Sequence, residues 1–258
     1  MTEPNPCLPH PPTGEAPLRL FCFHHAGGSA GAFRGWPDLL GPGIEIVPVQ
    51  LPGREGRIRE PRHTRLDPLV EEVSAALDGL LDEPYLFYGH SMGTLLAHEI
   101  TARLPAGARL PELLIVGGFP APHLGHALNL PPGLADAELT TLLLGLGGLP
   151  AELADRPEWL EVLLPIVRDD LAVCADHRPA PPEPLPVPIH ALAGQDDLLV
   201  DVDKVLAWQR HTSVSFRAES LPGGHFFAKD HPSAFFTALT WAIRARLPHG
   251  PDPVRAAR

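Results

Sequence analysis

Apolar positions along the chain fall into short blocks separated by glycine- and proline-rich breaks, and the blocks alternate between two periods. Leu18 to Phe23 is a continuous apolar run that ends in His-His-Ala-Gly-Gly, the pattern of a buried strand entering a glycine loop. A helix is expected through Phe33 to Leu40, followed by a β-branched strand over Ile44 to Leu51. Asp67 to Leu81 then places Leu69, Val70, Val73, Ala76, Leu77 and Leu80 at helical spacing. The alternation continues with a strand at Tyr85 to Tyr88, a helix at Met92 to Leu104 and a strand at Leu113 to Val116. After a proline-rich connector at Pro179 to Pro188 it resumes: strand Ile189 to Ala193, helix Val202 to His211, strand Val214 to Leu221, helix Ser233 to Leu247. Strands separated by crossover helices predict an α/β class, with a mostly parallel sheet covered on both faces.

Between about 130 and 177 the rhythm breaks. Two helical patterns, Ala135 to Leu144 and Glu158 to Ala175, follow one another with no strand between them. An insertion of this kind in an α/β domain predicts a helical lid. The expected organisation is a flexible proline-rich tail over 1–17, one domain over 18–247 carrying the lid at about 130–177, and a polar tail over 248–258. Leu139 to Leu149, with Leu160, Leu163, Leu164 and Ile166, could line an acyl chamber or serve as interior packing. There is no internal repeat.

Composition narrows the field. With 258 residues, 44% hydrophobic and 20% charged, the chain is long enough to bury a substantial core. A net charge of −11 gives no broad positive surface for nucleic acid or an anionic membrane. The three cysteines, Cys7, Cys22 and Cys174, lack metal-ligand or redox spacing and read as reduced, which suits the cytoplasm. The N-terminus has no basic stretch followed by an apolar one, and no run of 18 apolar residues occurs, so secretion and membrane spanning are not expected.

The chemistry centres on Gly89-His90-Ser91-Met92-Gly93, between an expected strand and an expected helix. A serine on a sharp strand-to-helix turn needs small residues on both sides, because the backbone is folded too tightly for side chains. That geometry lifts the Ser91 hydroxyl above the sheet edge and turns the Met92 N–H toward a developing oxyanion. A second copy, Gly27-Gly28-Ser29-Ala30-Gly31, also follows a strand. Order separates the two: the second oxyanion N–H comes from a glycine loop after an earlier strand, and His25-Ala26-Gly27-Gly28 can serve Ser91, whereas nothing precedes Ser29 that could serve it.

A serine hydroxyl needs a base, and the base needs a carboxylate to orient it. Both are expected downstream, acid before histidine. Gly194-Gln195-Asp196-Asp197 ends one strand, and Gly223-Gly224-His225 follows the next. Either aspartate could face His225 while its neighbour caps the helix at Val202; the plain alternative is a turn with an Asx cap.

Three segments now stand in the required order, and together FHHAGG, VQLPGRE, GHSMG, the acidic pair after a glycine and PGGHFF resemble the stand-alone type II thioesterases of polyketide and non-ribosomal peptide assembly lines. The resemblance runs from about Leu18 to Leu247. It implies an α/β-hydrolase fold with a helical lid, and removal of stalled or wrongly primed acyl groups from the phosphopantetheine arms of carrier proteins. By matching motifs it puts the nucleophile on Ser91, the base on His225, the acid on Asp197, and the oxyanion donors on the backbones of Ala26 and Met92. His24 stands where the family commonly has proline. No cofactor or metal is implied. A general esterase or lipase of the same fold, and a hydrolase-like binding protein without catalysis, are the alternatives.

Arg54, Arg57, Arg59, Arg62 and Arg65 form the densest basic run. They read as a solvated loop, or as contacts for a phosphate or an acidic carrier surface, with Arg54, Arg57 and Arg59 the candidates. His123 and His126 are three apart, but Pro122 and Gly125 favour a loop, and no third metal ligand is evident. Asp169-Asp170 reads as solvated or capping.

Overall fold

The computed structural model describes residues 5–125 and 134–247. Six strands, β1 (Arg19–Phe23), β2 (Glu45–Pro48), β3 (Tyr85–His90), β4 (Leu114–Gly117), β5 (Ile189–Gly194) and β6 (Phe216–Leu221), form one sheet in the order β2-β1-β3-β4-β5-β6. Every neighbouring pair is parallel. Parallel pairing requires a crossover each time, and the crossovers are α1 (Trp36–Leu40), α2 (Leu66–Leu77), α3 (Met92–Ala102), the lid, and α7 (Val202–Leu206). α8 (Phe227–Asp230) and α9 (Pro232–Arg244) close the chain against the sheet.

Both faces are covered, as the continuous apolar strands require. On one face Phe21, Phe23, Phe87, Val116 and Ala191 pack with Leu69, Val73, Leu95 and Leu96 of α2 and α3. On the other, Leu20, Cys22, Tyr88, Ile115 and Leu192 meet Phe235, Leu239 and Ile243 of α9. Successive residues of β1 and β3 thus point to opposite cores, the two-residue period of a strand.

Strand order reverses between β1 and β3, since β1 connects outward to β2 and the chain then crosses back. Ligands of open α/β sheets bind at such a switch point, beyond the carboxyl ends of the strands. The loop after β1 and the turn after β3 meet there.

The inserted segment carries α4 (Asp136–Gly145), α5 (Ala151–Ala154) and α6 (Pro157–Asp176). α5 is absent from the sequence pattern because four residues cannot display a helical period. Leu139, Leu164 and Val167 are buried together, with Leu142, Leu143, Leu160 and Leu163 packed around them. These side chains therefore hold the lid helices to one another.

Several boundaries move. α2 stops at Leu77, where Asp78 turns the chain and Gly79 adopts φ +71°. The expected helix to His211 is α-helical only to Leu206, then continues as a 3₁₀ turn. Residues 5–8 are not a loose tail: Cys7 and Leu8 are buried, and the Cys7 carbonyl accepts the Gln50 N–H at 2.8 Å. The cysteines are buried and unpaired. Among the described residues no helix is long and apolar enough to cross a membrane.

Candidate active site

β3 runs directly into α3 through Ser91, which takes φ +53° and ψ −122°. A non-glycine residue there carries strain on the order of 1–3 kcal/mol, so the surroundings must enforce it. They do so through backbone contact. A Cβ on Gly89 would lie 2.3 Å from the Gly93 carbonyl oxygen, and one on Gly93 would lie 2.1 Å from that of Phe23. Both glycines are thus required, and Gly93 presses the turn against the end of β1. The Ser91 N–H donates to the Gly117 carbonyl at 2.7 Å. Thr94 Oγ1 donates within reach of Gly89 O (2.8 Å) and Gly117 O (2.9 Å), and accepts from the Gly117 N–H (3.1 Å), tying the turn to β4. Thr94 escapes sequence reasoning, because its partners lie on a neighbouring strand.

His225 Nε2 lies 3.0 Å from Ser91 Oγ, and its Nδ1 lies 2.9 Å from Asp197 Oδ2. His225 and Asp197 are both buried. Asp197 and Asp196 separate here: Asp197 faces the imidazole, while Asp196 is exposed and contributes only a backbone N–H, to Gly223 O at 2.9 Å. The helix at Val202 has no side-chain cap, so that role for the neighbouring aspartate is not borne out. The Asx turn does exist, and Asp197 makes it: Oδ1 accepts the N–H groups of Leu199 (2.8 Å) and Val200 (3.2 Å). One carboxylate holds its own loop with one oxygen and the histidine with the other.

One glycine contact makes room for this pairing. A Cβ on Gly194 would fall 2.2 Å from the Gly224 carbonyl oxygen, so the loops bearing Asp197 and His225 can approach only because Gly194 lacks one. His90 packs against His225 with ring centroids 5.3 Å apart. Burial holds the His90 ring well below the usual imidazole range, and the nearby His225 and His25 push the same way, so it stays neutral beside the base.

Ser29, the serine of the second motif, donates instead to Glu55 at 2.6 Å in extended backbone. Ala26 lies in the loop against which Gly93 packs, and Met92 opens α3. Among the described residues neither N–H donates to a protein acceptor. A cavity of about 360 Å³ lies behind His25 and His90, walled by Phe33, Trp36, Tyr88 and Phe226. That volume lies within the roughly 300–1,000 Å³ usual for small-molecule sites.

Most of the arginine run is paired with carboxylates rather than free in solvent. Arg54 is buried and paired with Asp170. Arg57 is buried and bonds Glu60, Glu72 and the Gln50 carbonyl. Arg62 and Arg65 reach Asp169 and Asp176. Only Arg59 of the three candidates is exposed. The cause is the acidic face of α2 and α6, whose carboxylates lie up to 116 residues away in the chain. Asp170 is correspondingly buried rather than solvated. His123 Nδ1 lies 2.9 Å from His211 Nε2; His126 is outside the described residues, and among those described no cluster could hold a metal.

A family model described as thioesterase domain matches residues 18–242. The chain belongs to the thioesterase family. It is 39% identical over 242 residues to linear gramicidin dehydrogenase LgrE of Brevibacillus parabrevis, covering 91% of each chain. The solved structure of RedJ, a thioesterase from the prodiginine biosynthetic pathway of Streptomyces coelicolor, superposes with a TM-score of 0.82 at 39% identity, over 88% of this chain and 90% of that one. The type II thioesterase BorB from the borrelidin biosynthetic cluster gives a TM-score of 0.77 at 32% identity, over 90% of this chain and 94% of that one. The parallel sheet with its inserted helices is accordingly an α/β-hydrolase fold, and this thioesterase resembles those of the type II group.

Proposed function

We propose that this thioesterase hydrolyses acyl thioesters on the phosphopantetheine arm of carrier proteins, clearing aberrant acyl groups in polyketide or non-ribosomal peptide synthesis, with Ser91 as nucleophile, His225 as base and Asp197 as its orienting acid. The reading rests above all on the imidazole whose two nitrogens lie 3.0 Å from Ser91 Oγ and 2.9 Å from Asp197 Oδ2. His225 takes the hydroxyl proton as Ser91 Oγ bonds to the thioester carbonyl carbon; the oxyanion is received by the N–H groups of Ala26 and Met92. The C–S bond then breaks and the imidazolium returns its proton to the departing thiolate. Water, deprotonated by the same imidazole, attacks the acyl-serine and releases the acid, and Ser91 recovers its proton. No cofactor enters this scheme.

The carrier-bound substrate and a cytoplasmic setting are inferred from the resemblance to type II enzymes. The dehydrogenase in the name of LgrE is not carried over. The loop after β1 lacks the G-x-G-x-x-G spacing of a dinucleotide site, and Val167 and Asp170 already occupy the space over Gly27. Intact-mass measurement of acyl loss from a loaded carrier protein tests the proposal, with p-nitrophenyl esters assayed in parallel. Covalent labelling by a fluorophosphonate should vanish in Ser91→Ala. Turnover that survives Ser91→Ala overturns the assignment; rapid oxyester cleavage with no carrier activity points to a general esterase.

A further inference from the structure

The segment Val49–Glu55 carries no role in the hydrolytic scheme above, yet its arginine is joined to the site. Arg54 is 4% exposed and forks onto Asp170 of the lid helix α6, Nη1 to Oδ2 at 2.7 Å and Nη2 to Oδ1 at 2.8 Å. The same Asp170 Oδ2 accepts the Gly27 N–H at 2.7 Å, while Arg54 Nη1 reaches the Gly28 carbonyl at 3.4 Å. Between these anchors the chain makes a tight turn, closed by Gly28 N–H to His25 O at 3.0 Å. Gly27 sits at its third position with φ +77°, as a type II turn requires. The peptide joining His25 to Ala26 is planar, so the carbonyl that accepts from Gly28 and the Ala26 N–H are fixed together, pointing opposite ways. α6 lies directly on this turn: a Cβ on Gly27 would be 2.5 Å from Val167 Cγ2.

Stability alone does not account for the charged pair. A buried ion pair can be replaced by apolar side chains of similar volume at little cost or with a gain, so packing α6 here needs no charge. An acceptor oxygen at position 170 is needed, however, for the half-buried Gly27 N–H, and because that oxygen belongs to a carboxylate Arg54 is its counter-ion. We infer that Asp170 and Arg54 are positioning residues for the oxyanion donor Ala26, so that the oxyanion pocket is complete only while the lid helix is seated on the turn.

This inference rests on the proposed roles of Ser91 and Ala26, and two double variants separate it from a purely structural role. Arg54→Met/Asp170→Leu removes the charge and leaves the Gly27 N–H without an acceptor. Arg54→Met/Asp170→Asn also removes the charge but keeps an amide oxygen for that N–H. With melting temperatures matched, the leucine variant is expected to lose about 100-fold in kcat, as when an oxyanion donor is lost, with KM for a small acyl thioester little changed. The asparagine variant should recover at least about tenfold of that loss. Inhibition by a trifluoromethyl ketone, which forms the tetrahedral oxyanion with serine, should weaken in parallel with kcat. As a variant that keeps the charge, Arg54→Lys loses the fork and should lose about tenfold in kcat. Equal kcat in the two double variants, a loss confined to KM, or unchanged ketone inhibition overturns the inference. Turnover persisting in Ser91→Ala instead removes the reading beneath it.

Discussion

Replacing Asp197 by asparagine changes one atom of the side chain, and the structure determines what that change does. Asp197 Oδ1 accepts two backbone N–H groups, from Leu199 and Val200, while Oδ2 faces His225 Nδ1. An asparagine must choose which side receives its amide nitrogen. Turning the NH₂ toward the loop would oppose donor to donor and leave two buried N–H groups unpaired, at about 1–3 kcal/mol each. The carbonyl oxygen therefore stays on the loop, and the NH₂ faces the imidazole. His225 Nδ1 must then accept rather than donate, which moves the ring proton to Nε2, opposite Ser91 Oγ. An Nε2 that already carries a proton cannot take another from serine. A wrong tautomer of this kind lowers kcat by about 10⁴-fold, or about 5 kcal/mol of barrier, with the fold intact. Because the loop keeps its two bonds, the melting temperature should change little. Steady-state hydrolysis of an N-acetylcysteamine acyl thioester gives kcat, and ¹⁵N shifts of His225 report the tautomer directly. Asp196→Asn is the control, since Asp196 is exposed and its side chain makes no hydrogen bond among the described residues. A loss below tenfold in Asp197→Asn, or an equal loss in Asp196→Asn, refutes the reasoning.

Gly93→Ala should abolish activity and lower the melting temperature, because its methyl group would lie 2.1 Å from the Phe23 carbonyl oxygen, which belongs to the sheet and cannot yield. Arg57→Glu should lower stability in urea titration, as it sets a carboxylate against Glu60 and Glu72 and leaves the Gln50 carbonyl without its donor. Arg59→Glu should leave stability unchanged and raise KM only for a carrier-bound substrate, if the exposed arginine meets the carrier; equal effects on a small thioester exclude that contact. Burial lowers His25 to about 4, aided by the charges of His225, Lys229 and Arg54, and lowers His190 to about 4 although Glu219 opposes the shift. Both rings are neutral in the fold but take up protons near pH 6.5 when unfolded. Stability is therefore fully present above 6.5 and is lost as pH falls toward 4, a decline that melting temperatures across this window should show and His190→Gln should reduce.

The alternation of periods was enough to read most of the sheet, since the central strands β1, β3, β4 and β5 are largely apolar runs and the longer crossover helices α2 and α3 carry apolar positions at helical spacing. It could not read short helices such as α5, nor the change from α to 3₁₀ after Leu206, because hydrogen-bond geometry leaves no mark on hydrophobic spacing. At the site, Ser91 and His225 were legible through glycines, whose placement reports where backbones must touch. The choice between Asp196 and Asp197 was not. Both residues fit a turn and both come after the same strand, and the decision depends on which carboxylate points inward at β5. The two readings of that pair, loop cap or acid partner, proved not to be rivals, because a carboxylate has two oxygens. The arginine run misleads for a related reason. Local charge counting shows Glu60 beside Arg57 but misses Glu72 of α2 and Asp170 of α6, which are folded onto the run from elsewhere in the chain.

Asp170 brings such distant pairing to bear on the chemistry. Ser91, His225 and Asp197 stand on the turns that follow β3, β6 and β5, outside the inserted segment, so the lid helices do not carry the triad. The turn at Ala26 differs, because one of its two anchors rides on a helix of the inserted segment. A substrate whose acyl group or carrier helps to seat α6 would complete the oxyanion pocket, whereas one that displaces the helix would meet an intact base and nucleophile with a misaligned donor. Selection would then fall on kcat, through induced fit, more than on ground-state affinity. An enzyme that clears wrong acyl groups in the presence of many correct ones needs discrimination of that kind, since tight binding of every thioester would hold it on the productive ones. On this reasoning the buried arginine of the Val49–Glu55 segment belongs to selectivity as much as to folding, and the acyl-length dependence of kcat should flatten in Arg54→Met/Asp170→Leu.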